Sequence, residues 1–206
     1  MDKEYPPAIL GDKLFWKGIH GAYSNVYEAQ QNPNLLVKSI THVTIDSVIN
    51  SAKLSESAIG DFLPEHHIVK SGKNDVDYTS YIIMEKVVSH NLNSKLAKKY
   101  YALLDQLCYR VILAFMKNPA VTNAAPIYYG TIPDIASRNL IFGTTKSDSE
   151  PRLYCVDLFP TITRPINKLR ELISDILNSH AQDYNFIKTK QALERLKIFE
   201  DNYVNS

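Results

Sequence analysis

The sequence predicts an α+β fold of two lobes, in which a strand-rich N-terminal lobe precedes a reduced helical C-terminal lobe. Strand-like runs come first and most helix-like patterns come later, and the change falls near Ser89. This order favours two lobes over a doubly wound sheet, which would alternate strands and helices along the chain. The 206 residues are 45% hydrophobic, which suffices for one domain. We expect a single domain over 1–206, with the N-terminal lobe at 12–88 and the C-terminal lobe at 89–206.

Composition narrows the classes of protein. The 23 Lys and Arg residues nearly balance the 22 Asp and Glu residues, which argues against nucleic acid or an anionic membrane as the main partner. The two cysteines, Cys108 and Cys155, rule out a disulfide scaffold, and we expect both in the core. No apolar run reaches the roughly 18–20 residues of a membrane span, and the N-terminus lacks a signal-peptide pattern. We expect a cytoplasmic monomer.

The N-terminal lobe is predicted to contain a meander, a helix and a hairpin. A helix is expected over 44–63, with Thr44 or Asp46 as its cap and Pro64 as its end. Three short apolar runs separated by turn residues predict the strands of the meander: 14–19, 25–29 and 35–40. Two further runs predict the hairpin that follows the helix: 66–70 and 76–87.

The C-terminal lobe begins with the strongest helical pattern in the chain, over 91–117, which Pro119 ends. Its apolar residues recur at steps of three and four: Leu96, Leu103, Leu104, Leu107, Val111 and Phe115. After a loop, a polar turn joins two strand-like runs at 140–142 and 153–156. The tail is predicted to form two more helices, at 165–178 and 186–203.

Two features of the N-terminal lobe indicate phosphate binding. Gly18 and Gly21 lie in a turn where backbone N–H groups can approach phosphate oxygens, although an ordinary hairpin turn is the alternative. Lys38 lies within an apolar strand, where burial of an ammonium group requires an anion; an edge-strand lysine facing solvent is the alternative. Glu56 falls on the apolar stripe of the next helix and is the economical partner for Lys38, with Glu65 as the other candidate.

Polar residues also precede or follow the two predicted strands of the C-terminal lobe. Asp134 and Asn139 lie five residues apart in a loop that can hold a base near a hydroxyl and an amide oxygen near a metal. The alternative is an Asx-rich turn. Asp157 follows the second strand and can reach the same metal, unless it is only a turn residue.

In this order, the glycine loop, strand lysine, helix glutamate, Asp-x4-Asn and strand-end Asp resemble the motifs of the protein-kinase-like superfamily, from about residue 14 to residue 159. Compact bacterial members of that superfamily are similar in length, among them secreted effector kinases and the PhoP-network kinase-like family. The resemblance implies a two-lobed protein-kinase-like fold and transfer of phosphate from ATP, with Mg²⁺, to protein Ser, Thr or Tyr hydroxyls. Secretion into a host cell as an effector is then the alternative location.

The resemblance also implies roles for individual residues. Lys38 would bind the α- and β-phosphates, and Asp134 would orient or deprotonate the acceptor hydroxyl. Arg138 would screen the transferring phosphate, or it is a surface loop residue. Asn139 and Asp157 would hold Mg²⁺. The residues expected to contact the nucleotide are Gly21, Ser24, Val26, Lys38, Glu56, Met84, Glu85 and Val87.

The sequence also departs from the kinase pattern. Of the three loop glycines only Gly21 is in register, and Ile132-Pro133 replaces the usual His-Arg before the catalytic aspartate. No activation segment is recognisable after Asp157. These departures keep two alternatives open: a pseudokinase that binds a nucleotide or a partner, and a small-molecule kinase of the aminoglycoside or sugar type.

Overall fold

The computed structural model describes residues 14–20, 24–41, 43–71, 79–117, 119–121, 128–158, 161–180 and 183–204. Within these residues the protein is mixed α+β, with small antiparallel sheets and four α-helices, which confirms the predicted class. By its internal contacts the chain divides into two compact units. The first unit comprises the described parts of Met1–Asn50, Pro64–Val88 and Thr144–Glu150. The second comprises those of Ser51–Leu63, Ser89–Gly143 and Pro151–Ser206.

The first unit contains one five-stranded antiparallel sheet with strand order β1-β2-β3-β5-β4. The strands are β1 (Leu14–His20), β2 (Ser24–Ala29), β3 (Leu35–Thr41), β4 (His66–Ser71) and β5 (Thr79–Glu85). The predicted meander and the predicted hairpin are both confirmed, because β1, β2 and β3 pair in sequence and β4 pairs with β5. Val37 and Ile83, which are directly opposite in β3 and β5, are both buried on one face.

Helix α1 (Ile45–Ile59) follows β3, and a 3-10 turn (Gly60–Phe62) extends it. The Thr44 hydroxyl accepts a hydrogen bond from the Ser47 amide at 3.3 Å, so Thr44 rather than Asp46 caps the helix. The buried positions of α1 are Val48, Ala52, Ser55 and Ile59. Glu56 is exposed, so the prediction that its side chain lies on the apolar stripe is wrong. Ser55 takes the inward position because the helical period turns Glu56 about 100° away from it.

The helices of the second unit enclose its core. After β6 (Val88–Ser89), helix α2 spans Ser94–Lys117, and the Leu96 amide donates to the Asn93 side chain at its start. The stripe predicted for α2 is confirmed at Leu104, Leu107, Val111 and Phe115, all nearly inaccessible to solvent. No helix in the described part of the chain is long and apolar enough to cross a membrane.

Five further strands precede or follow, along the chain, the polar loop that leads into the predicted strand 140–142. They are β7 (Pro119–Val121), β8 (Tyr128–Ile132), β9 (Leu140–Thr144), β10 (Arg152–Cys155) and β11 (Ile162–Pro165). The chain ends in the two predicted helices, α3 (Ile166–His180) and α4 (Ile187–Val204). Strands β9 and β10 form the predicted antiparallel hairpin. A second sheet has the order β11-β8-β7.

Sequence reasoning left β7, β8 and β11 unassigned and treated the segment between α2 and β9 as a loop. These strands are short, and β8 pairs with β11 some thirty residues later, Ile132 lying opposite Ile162. Such long-range pairing leaves little local periodicity. Gly130 in β8 packs so closely on α2 that an added Cβ would lie 2.5 Å from the Phe115 ring. This close approach explains why glycine occurs inside a strand.

Candidate functional site

Lys38 occupies an interior position of the first unit. Its strand, β3, lies between β2 and β5, and the side chain is only 7% exposed. This excludes the alternative of an edge-strand lysine facing solvent. Burial of an ammonium group costs several kcal/mol unless acceptors replace its water, so a buried lysine inside a sheet is a feature that requires an explanation.

The strand register places several predicted nucleotide contacts on the face of the sheet that carries Lys38. Val26 lies directly opposite Lys38 in β2, and Ile82 lies opposite it in β5. Because side chains alternate between faces, Met84 shares the face of Ile82. Ser24 is the first residue of β2, two residues before Val26. The first unit thus presents an apolar face with one buried cation.

The segment that follows β5 has one backbone donor that this unit does not use. The Glu85 amide donates to the Glu65 carbonyl at 2.9 Å, and the Lys86 amide donates to the Asn34 carbonyl at 2.7 Å. The Glu85 carboxylate accepts from the Ser147 hydroxyl. Of the amides of residues 85–87, that of Val87 is therefore the one with no acceptor among the described residues. The Val87 amide is therefore the group that could donate a hydrogen bond to the edge of a planar heterocycle.

In the second unit, the Asp134 loop (residues 134–139) concentrates polar contacts around one buried carboxylate. Asp134 is 6% exposed. Its Oδ1 accepts from the Ala136 amide at 3.2 Å, and its Oδ2 accepts from the Arg138 guanidinium at 3.3 Å. The first of these bonds is an Asx-type turn, so the turn and the buried carboxylate coexist. Arg138 itself is largely exposed, at 77% of its side chain.

Arg164 is a residue of this cluster that sequence reasoning missed. It lies on β11 opposite Gly130, and its guanidinium approaches Asp134 Oδ1 at 3.9 Å. Its Nε is buried and has no hydrogen-bond partner among the described residues. A charged residue beside a proline in a short strand was the only local signal. The pairing of β11 with β8, which brings Arg164 to Asp134, could not be read from the sequence.

Two hydrogen bonds tie Asn139 and Val156, the residue before Asp157, to the same loop. The Asn139 side-chain amide donates to the Asp134 carbonyl at 3.0 Å. The Val156 amide donates to the Asn139 carbonyl at 2.9 Å, directly beyond the Leu140–Cys155 pair of the hairpin. Asp157 is the next residue and is partly buried. The second unit therefore brings together three of the predicted residues, Asp134, Asn139 and Asp157.

Asn139 and Asp157 carry oxygen groups of the kind that could hold a magnesium ion. Asn139 binds the Asp134 carbonyl through its nitrogen, which leaves the amide oxygen as an acceptor. Mg²⁺ binds through one or two carboxylates and retains several waters, and its binding to Asn139 and Asp157 stays a prediction. In the described ranges no group of three or more His, Cys, Asp or Glu side chains could hold a metal ion.

For two predicted residues, the association with these clusters stays a prediction. Glu56 is exposed on α1 and belongs to the second unit, whereas Lys38 belongs to the first, so their ion pair stays a prediction. Gly21 and the centre of the glycine turn lie outside the described residues.

The two cysteines are core residues, as predicted. Both are fully buried and unbridged. Burial, together with the smaller effect of the nearby Asp105 carboxylate, raises the pKa of the Cys108 thiol to about 12. A thiol that stays protonated at neutral pH is a poor nucleophile. The Cys155 thiol donates to the Asp134 carbonyl at 3.7 Å, so it contributes to holding the Asp134 loop in place.

A second buried carboxylate, Asp105, was also missed in the sequence. Asp105 lies on α2 beside Leu104 and is 2% exposed. It accepts hydrogen bonds from the Lys188 amide at 3.2 Å, the Thr189 amide at 2.8 Å and the Thr189 hydroxyl at 2.7 Å. These donors belong to the first turn of α4, so Asp105 caps a helix from which it is distant in sequence. An aspartate inside an apolar helical stripe was the signal that could have found it.

No protein-family model and no curated protein matches the chain.

Proposed function

We propose that this protein is an ATP- and Mg²⁺-dependent phosphotransferase with a compact, two-lobed protein-kinase-like fold, which phosphorylates protein hydroxyl groups. The observation that carries the proposal is the Asp134 loop. One buried carboxylate is held there beside an amide, and a second carboxylate follows the adjacent strand. Phosphoryl transfer requires these groups, namely a residue that orients the acceptor and oxygen ligands for the metal.

The first unit would bind the nucleotide. The apolar face that carries Val26, Ile82 and Met84 suits a planar base, and Lys38 would offset the charge of the α- and β-phosphates. The Val87 amide would donate to the base edge. This division assigns binding of the nucleotide to the sheet and binding of the metal and the acceptor to the second unit.

The second unit would then position the acceptor. The hydroxyl oxygen forms a bond to the γ-phosphorus while the bond from that phosphorus to the β–γ bridging oxygen breaks, and ADP leaves. Asp134 would accept the hydroxyl hydrogen bond and take the proton as the new bond forms. Mg²⁺, when bound, offsets charge on the phosphate oxygens. Arg138 and Arg164 would fix the carboxylate so that one orientation is held.

Transfer of labelled phosphate from ATP to the protein itself or to a lysate tests the proposal. We expect turnover by the wild type and a loss of about a hundredfold or more in Lys38→Ala and Asp157→Ala. Asp175→Asn, at an exposed position of α3, is the matched control and should retain activity. Equal rates in wild type and Asp157→Ala would show the proposal to be wrong. Addition of aminoglycosides or sugars instead of protein separates a small-molecule kinase from a protein kinase.

A nucleotide-binding pseudokinase is the second candidate, and the contacts of Asp134 favour it. Both carboxylate oxygens already have partners. Oδ1 accepts a hydrogen bond from the Ala136 amide and lies 3.9 Å from Arg164, and Oδ2 accepts a hydrogen bond from Arg138. These contacts leave fewer lone pairs of the carboxylate free to accept a hydrogen bond from a substrate hydroxyl. A rise in melting temperature with ATP and Mg²⁺ but without phosphate transfer would support this candidate, and measurable turnover would eliminate it.

A further inference from the structure

An open groove lies between α1 and α2 within the second unit, apart from the Asp134 loop. Its volume is about 420 Å³, and it is lined by the C-terminal half of α1 and the last two turns of α2. Leu54 and Leu113 contribute apolar surface to it, together with small residues. The lining on α2 recurs at helical spacing from Arg110 to Lys117, a length of about 10 Å at 1.5 Å per residue.

Three cations surround this groove: Lys53 on α1, and Arg110 and Lys117 on α2. Arg110 is held in place by an ion pair with Asp61 at 2.5 Å and by the Phe62 ring, 5.6 Å below its guanidinium. Lys53 and Lys117 are exposed, and neither has an ion-pair partner among the described residues. Because the whole chain carries a net charge of only +1, this clustering is local and does not follow from the composition.

We propose that this groove docks a short segment of a partner protein in which apolar side chains alternate with Asp and Glu. The apolar side chains would contact Leu54 and Leu113, while the carboxylates would meet Lys53 and Lys117 at the rim. Arg110, already oriented, would offer its remaining donors to a further carboxylate. Two facing helices with apolar residues at this spacing form the kind of surface that accepts a peptide helix.

The chemistry of the groove favours this occupant over two others. A bare anion would gain nothing from the apolar lining. A membrane surface is usually bound by a cluster of about four to eight basic residues, more than this groove offers. The inference concerns a surface separate from the Asp134 loop and does not depend on phosphotransfer.

Fluorescence anisotropy with the full-length protein tests the proposal, with a labelled peptide that repeats Glu-Leu-Leu-Glu as the probe. We expect saturable binding that weakens with salt, and no binding of the matched Lys-Leu-Leu-Lys peptide. Reversal of both rim charges, Lys53→Glu with Lys117→Glu, should weaken binding about tenfold or more. Ser57→Trp, which fills the groove without a change of charge, should weaken it comparably, and this variant keeps the test valid if the charge reversal alters folding.

The matched control reverses two other exposed lysines of α2, Lys95→Glu with Lys98→Glu, which do not line the groove. Retained peptide binding in this control supports the proposal. An equal loss in both double variants would overturn it, because net charge alone would then explain binding. Failure of the wild type to bind the acidic peptide would overturn it as well. Two further results would also overturn the proposal: formation of a concentration-dependent dimer, and binding to phosphatidylserine vesicles. Either result counts against it if the groove variants abolish that association and the acidic peptide does not compete with it.

Discussion

Two buried aspartates of the second unit, Asp105 and Asp134, have nearly the same exposure and different surroundings. Asp105 accepts its hydrogen bonds from the first turn of α4, two of them from backbone amides. Asp134 accepts from one backbone amide and from Arg138, and Arg164 lies 3.9 Å away. One carboxylate therefore joins two helices, whereas the other lies in a loop beside side chains that can change partners.

This difference shows that burial of a carboxylate does not by itself indicate a function. Backbone amides in the first turn of a helix lack acceptors within the helix, so a carboxylate of the protein bound to them serves as a helix cap. Guanidinium groups that are 30% and 77% exposed still interact with water and can bind a phosphate or a substrate. The partners of a buried carboxylate thus separate a helix cap from a candidate active site.

Substitution of Asp134 should have the largest effect on activity. In Asp134→Asn we expect phosphate transfer to fall about a hundredfold or more, because the amide cannot take the hydroxyl proton. The free energy of unfolding should change less than in Asp105→Ala, because the amide keeps the shape of the side chain and the Arg138 partner is 77% exposed. Initial rates of transfer from labelled ATP, together with urea denaturation, measure both quantities. If the free energy of unfolding of Asp134→Asn fell enough to explain its loss of activity, Asp134 would be a structural residue like Asp105.

Substitution of Asp105 should have the opposite signature. Asp105→Ala leaves the start of α4 without acceptors in a buried place, and we expect a loss of about 2–3 kcal/mol in the free energy of unfolding. Asp105→Asn is the matched control and should lose less, because its amide oxygen can still accept the Thr189 amide. The midpoints of urea denaturation of the two variants and the wild type measure these differences in stability. Equal stabilities of Asp105→Ala and wild type would contradict the assignment of a cap.

Arg164 should contribute to activity through Asp134. Removal of the guanidinium in Arg164→Ala frees one side of the carboxylate, and we expect about a tenfold lower kcat with a shifted pH profile. Arg164→Lys should restore part of the rate because it keeps a positive charge. Rates across pH for the three proteins provide the measurement. An unchanged pH profile with a uniformly lower melting temperature would assign Arg164 a structural role only.

Cys108 should produce the smallest effect, a dependence of stability on alkaline pH. Its pKa in the folded protein is about 12, raised by burial and by Asp105, so the unfolded thiol ionises first. The contribution of the Cys108 thiol to the free energy of unfolding is fully present below about pH 9. It declines by about 1.4 kcal/mol per pH unit as the pH rises towards 12. Cys108→Ala should show a shallower decline between pH 8 and pH 10 in urea titrations. Equal slopes in both proteins would argue against burial of an ionisable thiol.

Much of the fold could be predicted from local sequence patterns. Alternation and turn residues located β1 to β5, and three- and four-residue spacing located α1 to α4. The sequence patterns did not predict strands β7, β8 and β11, because each is short and depends on pairing with another strand. The inward face of α1 was also misjudged at Glu56, because Ser55 fits the same helical period one residue earlier.

For the candidate site, the sequence by itself determined which residue types were present and in what order: a strand lysine, an Asp-x4-Asn loop and a strand-end aspartate. The tertiary structure decided what surrounds them. It buried Lys38 inside a sheet, brought Arg164 to Asp134 through the β8–β11 pairing, and used Asp105 to cap α4. The physical reason is that spacing along the chain reflects local backbone geometry, whereas contacts between a carboxylate and its donors depend on elements that meet only when the core forms.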